Sequence, residues 1–170
     1  MPTSRNGDVR LGVALSNSII LAYRQMGDYK EAVVYAETKV AKDILEAGPD
    51  HYLVKEGKLR LSKLWQKAGD AKLAEFWCDE AEGGGVEVLV QKASLMSLGG
   101  NHGSAIELER QVQKFLDMSF GAQHELVGES GERVKAYLRL KIEDDLKGEG
   151  RKAKAKAKKK RQKKKKTSGN

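Results

Sequence analysis

Hydrophobic residues recur along most of this chain at the three- and four-residue spacing of an amphipathic helix. The spacing is clear in two sets of residues: Leu15, Ile19, Ile20 and Tyr23, and then Leu61, Leu64, Trp65 and Ala68. We predict helices at residues 10–26, 29–46, 51–68, 71–82, 86–98, 102–119 and 124–147. Gly83-Gly84-Gly85 is predicted to break the helical run, because each glycine inside a helix costs roughly 1 kcal/mol relative to alanine. Gly48-Pro49-Asp50 is the other clear loop.

The chain also repeats itself. A glycine-led turn followed by an alanine occurs three times, in the segments 27–32, 69–74 and 100–105. A second correspondence at an offset of 73 residues pairs Gly27 with Gly100, Ala32 with Ala105, Gly48 with Gly121, His51 with His124, Leu53 with Leu126, Val54 with Val127 and Glu56 with Glu129. Each turn glycine lies just past a helix, where a left-handed residue without Cβ is favoured, and Asp28 and Asp70 can cap the next helix. About three helix–turn–helix units are therefore predicted.

These residues resemble the tetratricopeptide repeat (TPR) family, and the 42-residue spacing with Gly48-Pro49-Asp50-His51 is similar to the long repeats of kinesin light chains. The segments from Tyr23 to Ala32 and from Trp65 to Ala81 carry the resemblance, and Ser62, Ala74, Cys78 and Ala81 fall where the family prefers small residues. Lys39, Lys92 and Glu109 depart from its pattern. A weaker similarity is to the C-terminal helices of SET and MYND methyltransferases. The resemblance implies an all-α, right-handed superhelix of about three units. Because stacked repeats need a polar outer cap, the C-terminal helix is expected to serve as one, with apolar residues at Leu126, Val134, Tyr137, Leu138 and Leu140.

Charge divides the chain into an acidic body and a basic tail. Residues 151–166 contain 12 Lys and Arg and no acid, which leaves 20 Lys and Arg against 24 Asp and Glu in residues 1–150, a balance of −4. A block this basic buries no apolar surface and is predicted to be disordered. We therefore expect a flexible N-terminus at 1–9, a repeat domain at 10–147 and a disordered tail at 148–170.

A peptide-binding groove is expected on the first helices of the pairs, since the resemblance implies that this surface holds an extended peptide or a helix. It would present a basic face, with Leu21 and Ser94 beside Asn17, Arg24, Arg60, Lys63 and Lys67. Several cations together favour an acidic peptide or a terminal carboxylate. The alternative is an ordinary solvated helix face.

The tail is the second candidate site. Its cations can serve as a nuclear or nucleolar import signal, or as an arm that contacts RNA or DNA without sequence preference. A merely solubilising terminus is the alternative. The residues are Arg151, Lys152, Lys158, Lys159, Lys160, Arg161, Lys163, Lys164, Lys165 and Lys166.

Catalytic chemistry is not indicated. His51 and His124 hold equivalent positions at helix starts, which favours capping, and His102 is isolated. The single Cys78 excludes an intramolecular disulfide, suits a reducing compartment and is predicted to be a core residue. Neither a metal site nor a phosphate-binding loop is predicted, and no cofactor is expected. The cluster Glu143, Asp144 and Asp145 is interpreted as helix surface.

The sequence thus predicts a non-enzymatic intracellular adaptor that binds proteins, located in the nucleus or nucleolus, with no membrane span. One alternative is an RNA-associated protein that binds nucleic acid through the tail. Another is the C-terminal fragment of a SET-type methyltransferase, although no SET-domain motif occurs in the chain.

Overall fold

The computed structural model describes residues 16–167, without the side chains of residues 153, 156, 157 and 159–167. Within this range every element of regular secondary structure is an α-helix. The helices are α1 (16–25), α2 (Tyr29–Ala47), α3 (Tyr52–Ala68), α4 (Ala71–Glu80), α5 (Val86–Leu98), α6 (His102–Phe120) and α7 (Glu125–Thr167). The all-α prediction is confirmed. The predicted flexible segment 1–9 and the start of the first predicted helix lie outside the described residues.

The described residues form two compact units, which divide between Gly99 and Gly100. The first contains α1 to α5 and the second contains α6 and α7. The boundary falls at the third glycine-led turn, so each unit is described separately below.

The three predicted turn glycines all have left-handed backbone angles, with φ between 78° and 90° at Gly27, Gly69 and Gly100. The residue after each glycine caps the next helix by accepting a hydrogen bond from a backbone N–H three positions on. Asp28 bonds the N–H of Glu31, Asp70 that of Leu73 and Asn101 that of Ser104. Glycine ends one helix and a short polar side chain starts the next, as predicted for Asp28 and Asp70.

The 73-residue correspondence is also visible in the backbone. Gly48 ends α2 with φ 90° and ψ 158°, and Gly121 ends α6 with φ 86° and ψ 154°. Three residues later, Nδ1 of His51 accepts from the N–H of Leu53, and Nδ1 of His124 accepts from the N–H of Leu126, both at 3.3 Å. The predicted capping role of the two histidines is confirmed.

The core of the first unit consists of small and branched residues between paired helices. One cluster joins α1, α2 and α3 through Ile20, Val33, Val40, Leu61 and Leu64. A second joins α3, α4 and α5 through Leu59, Cys78, Val88 and Leu95, and Trp65 packs against both clusters. The positions expected to be small are fully or almost fully buried: Ala32, Ser62, Ala74, Cys78 and Ala81.

In the second unit α6 and α7 pack along each other. The face of α7 that contacts α6 carries buried Val127 and Ser130, with Val134 and Tyr137 half-buried. Three residues that were predicted for the capping face, Leu126, Leu138 and Leu140, are instead exposed. At about 100° per residue, Leu126 and Leu138 lie roughly 60° to either side of the stripe formed by Val127, Ser130, Val134 and Tyr137, and Leu140 lies about 100° from it.

Helix α7 continues to Thr167, beyond the predicted end at Lys147 and through the segment predicted to be disordered. The described side chains of Glu149, Arg151, Lys152, Lys154 and Lys158 are exposed. No apolar packing at these positions holds the helix, so the physical cause is the high helix propensity of alanine and lysine. No helix in the described range is long and apolar enough to span a bilayer.

Candidate functional site

A groove of about 410 Å³ opens between the first helices of the pairs in the first unit. Leu21, Arg24 and Gln25 come from α1, and Gln91 comes from α5. The remaining lining residues are Tyr29 at the start of α2 and, from α3, Arg60, Lys63, Leu64, Gln66 and Lys67. Four of the five residues predicted for the peptide-binding groove thus lie around one groove.

The four groove cations differ in how far acidic neighbours neutralise them. Arg60 donates to Glu56 at 3.0 Å, and Lys63 forms an exposed ion pair with Glu87 at 3.4 Å. Neither Arg24 nor Lys67 has a carboxylate within ion-pair distance in the described part of the chain. These two are the cations most available to a ligand.

Asn17, the fifth predicted residue, does not line this groove but positions one that does. Its Oδ1 accepts a hydrogen bond of 2.7 Å from Nη1 of Arg60, which joins α1 to α3. Asn17 and Arg60 also line a smaller adjoining cavity of about 110 Å³. Arg60 is thereby held from two sides, by an amide and a carboxylate.

A chain of polar side chains lies under the groove. Ser62 donates to the backbone carbonyl of Ala74 at 2.6 Å, and Nε2 of Gln91 donates to Ser62 Oγ at 3.2 Å and to Gln66 Oε1 at 2.9 Å. Nε2 of Gln66 then donates to Ser94 Oγ at 3.0 Å. Ser94, which was predicted to face a ligand, is therefore a hydrogen-bond partner of Gln66.

Sequence reasoning missed both glutamines. The signal for Gln91 was its register: it lies three residues after Val88 and four before Leu95, on the apolar side of α5, and it is buried. A polar residue in an apolar register indicates a buried hydrogen-bond network. Gln66 gave no such signal, because the residues three and four positions before it on α3, Lys63 and Ser62, are themselves polar.

The other groups considered for chemistry have structural roles. Cys78 is buried, and this burial raises the pKa of its thiol, so little thiolate forms at neutral pH. His102 Nε2 lies 3.1 Å from Asp144 Oδ2 and joins α6 to α7. Gly83 to Gly85 form the turn between α4 and α5, as predicted. Within residues 16–167 no three His, Cys, Asp or Glu side chains are grouped as metal ligands.

The tail residues are placed only in part. Arg151, Lys152 and Lys158 are exposed on α7. The side chains of Lys159, Lys160, Arg161, Lys163, Lys164, Lys165 and Lys166 lie outside the described residues.

Comparison with known proteins supports the architecture. No protein-family model matches the chain, and no curated protein matches it by sequence. Among solved structures it is similar to a crystal structure of nearly identical TPR-like repeats, described as a kinesin light chain of Podospora anserina, with 17% identity and a TM-score of 0.65. The match covers 86% of this chain and 76% of the other. The chain has a TPR-like repeat fold.

The three departures from the TPR pattern are each balanced by an opposite charge. Lys39 bonds Asp43 at 2.6 Å, and Lys92 bonds Asp79 at 2.8 Å. Glu109 has no exposed surface and lies 2.8 Å from the guanidinium of Arg133. A charge can replace an apolar residue inside this TPR-like array where a partner is supplied.

Glu109 occupies the position that Ala36 holds 73 residues earlier. Its Oε1 accepts from Ser130 Oγ and from Arg133 Nε, both at 2.8 Å, whereas Oε2 is buried with no hydrogen-bond partner in the described part of the chain. Burial, and then the charge of Glu109, raise the pKa of the neighbouring Tyr137. Arg133 is equivalent to Arg60, so the same repeat position serves the groove in one unit and a buried carboxylate in the other.

Proposed function

We propose that this chain is a protein-interaction module whose first unit binds an acidic peptide segment in the groove between α1, α3 and α5. The observation that carries the proposal is the convergence of Arg24, Arg60, Lys63 and Lys67 on one groove. Cations from adjacent helices attract carboxylates and bind them by charge-assisted hydrogen bonds.

The groove also offers apolar contact. Leu21 is half exposed at its edge, and the buried Leu64 contributes to its lining. A segment with acidic side chains and one or two apolar anchors fits this mixture, because apolar contact adds affinity while the cations select sign and register. The free cations Arg24 and Lys67 should contribute most to charge recognition.

An array of ten-residue peptides, each containing at least four Asp or Glu, tests the proposal. The strongest binder is compared by fluorescence anisotropy with its amide counterpart, in which Asn and Gln replace the acids. We expect the Arg24→Glu/Lys67→Glu variant to lose binding by more than about tenfold, and the loss to shrink at high salt.

Lys30→Glu/Lys72→Glu is the matched control. Both lysines are exposed in the same unit, neither lines the groove, and the variant changes net charge by the same amount. Equal losses in the two variants, or equal binding of the acidic peptide and its amide counterpart, would show that the groove does not recognise acidic segments.

A second proposal concerns the tail. The exposed Arg151, Lys152 and Lys158 lie on a helix that continues past the packed part of α7, and this favours nonspecific contact with RNA or DNA and nuclear import. In a gel-shift assay, RNA binding by the full chain should be strong at 50 mM salt and weak at 200 mM salt, and deleting residues 151–170 should abolish it. The same deletion should shift a fluorescent fusion protein out of the nucleus. An unchanged gel shift and location would exclude both roles.

A further inference from the structure

The amide groups under the groove have a fixed direction. At 2.6 Å from the backbone carbonyl of Ala74, the Ser62 hydroxyl must spend its hydrogen on that carbonyl, since a carbonyl only accepts. Ser62 can therefore only accept from Gln91, which places Nε2 of Gln91 on this side. Oε1 of Gln66 then faces the same Nε2, and Nε2 of Gln66 faces Ser94.

This order leaves two groups uncommitted. Both hydrogens of Gln91 Nε2 are used, on Ser62 and on Gln66, and its Oε1 accepts no hydrogen bond within the described residues. Gln66 Nε2 uses one hydrogen on Ser94 and keeps the second. Both residues line the groove, Gln66 partly exposed and Gln91 with 5% of its surface exposed, so the uncommitted acceptor and donor lie at or just beneath its floor.

We propose that Gln66 and Gln91 form a subsite that reads the main chain of an extended segment. Such a segment has a free N–H and a free C=O, which match the acceptor of Gln91 and the donor of Gln66. A helical ligand has already paired these groups internally, so the subsite selects extended over helical segments. This inference rests on the proposed groove function and specifies the conformation of its ligand.

The test uses the strongest peptide from the acidic array in three forms. These are the unmodified peptide, a set in which each backbone amide in turn is N-methylated, and a hydrocarbon-stapled helical form. We expect N-methylation at one central position to weaken binding by roughly three- to tenfold, the usual worth of one hydrogen bond. The stapled form should bind more weakly than the unmodified peptide.

The variants Gln91→Leu and Gln66→Met connect the effect to the subsite. Each variant should bind the unmodified peptide more weakly, without a change in the salt dependence of binding. In the Gln91→Leu variant, N-methylation at the sensitive position should weaken peptide binding little further, because the acceptor that pairs with this N–H is already absent. If Gln91→Leu does not fold, as judged by circular dichroism, the scan with the unaltered protein and the variant Gln66→Met, at a partly exposed position, still decide the question.

The outcomes separate the two proposals. Binding that is lost in Arg24→Glu/Lys67→Glu, yet insensitive to all N-methyl positions and to both glutamine variants, overturns the subsite and leaves the acidic groove standing. The subsite is also overturned if the stapled peptide binds as tightly as the unmodified peptide. If no acidic peptide binds the unaltered protein, the groove function is wrong and the subsite falls with it.

Discussion

The buried ion pair between Glu109 and Arg133 gives the sharpest test of the second unit. Replacing Arg133 by methionine keeps an unbranched apolar stem but removes the guanidinium and its positive charge. Glu109 is then left with Ser130 as its only described partner, and its Oε2 already has none. A carboxylate without exposed surface would remain between α6 and α7 with too few hydrogen bonds.

The expected cost follows from burial. Removing one partner of a buried pair costs about 3–5 kcal/mol, because the remaining charge is neither solvated nor paired. The side chain of Arg133 is 31% exposed, so water can enter partly in its place. We therefore expect the lower end, about 3 kcal/mol. The double variant Glu109→Leu/Arg133→Met should recover most of this loss, since apolar pairs of similar volume often match buried ion pairs.

Hydrogen exchange measured by mass spectrometry suits this question, because it reports on α6 and α7 separately from the first unit. A loss of about 3 kcal/mol corresponds to roughly 100-fold faster exchange of protected amides. Tryptophan fluorescence supplies an internal reference, since both tryptophans, Trp65 and Trp77, lie in the first unit. Its unfolding transition reports on that unit.

The matched control is Lys135→Met. Lys135 lies two residues along the same helix and pairs with Glu132 at 2.7 Å, but both side chains are mostly exposed. An exposed pair contributes little, so exchange in α6 should not change measurably. Equal effects of Arg133→Met and Lys135→Met would refute the reasoning, as would a double variant no more stable than Arg133→Met.

Three further predictions follow from other residues. Alkylation of Cys78 by iodoacetamide at pH 7.5 should be at least roughly 100-fold slower in the folded protein than in urea, because burial raises the thiol pKa and blocks access; comparable rates would contradict its buried place. The raised pKa of Tyr137 means that folding favours the neutral phenol, so its contribution to stability is full below pH 10.0 and is lost as pH rises through the raised value. The urea midpoint should therefore fall less between pH 9 and pH 11 in Tyr137→Phe than in the unaltered protein. The same dependence of the midpoint on pH in both proteins would exclude the effect. Repulsion among the tail cations should make the helix beyond Lys147 depend on salt, so the circular dichroism difference between the full chain and a chain ending at Gly150 should grow from 20 mM to 1 M NaCl; a salt-independent difference would show that repulsion does not limit the helix.

Local chemistry explains why much of the fold was predictable. Gly27, Gly69 and Gly100 each need a left-handed backbone, and the polar residue after each needs only its own helix to act as a cap. The histidines at 51 and 124 also bond within two residues. Such signals depend on neighbours in sequence, so pattern and propensity suffice to read them.

The less predictable features depend on distant partners. Glu109 looked like a defect in the repeat because its partner, Arg133, is 24 residues away on another helix. Gln66 and Gln91 are joined across 25 residues, and nothing local marks Gln66. In the tail, two local signals disagree. Its charge predicted disorder, whereas the helix propensity of alanine and lysine accounts for the observed helix.

The matching loops at Gly48 and Gly121 have a consequence for protein engineering. Their backbone angles differ by no more than 4°, and a histidine cap follows each at the same distance. The two loops thus have the same local backbone and the same cap, so either loop segment can replace the other without changing the geometry at its helix ends.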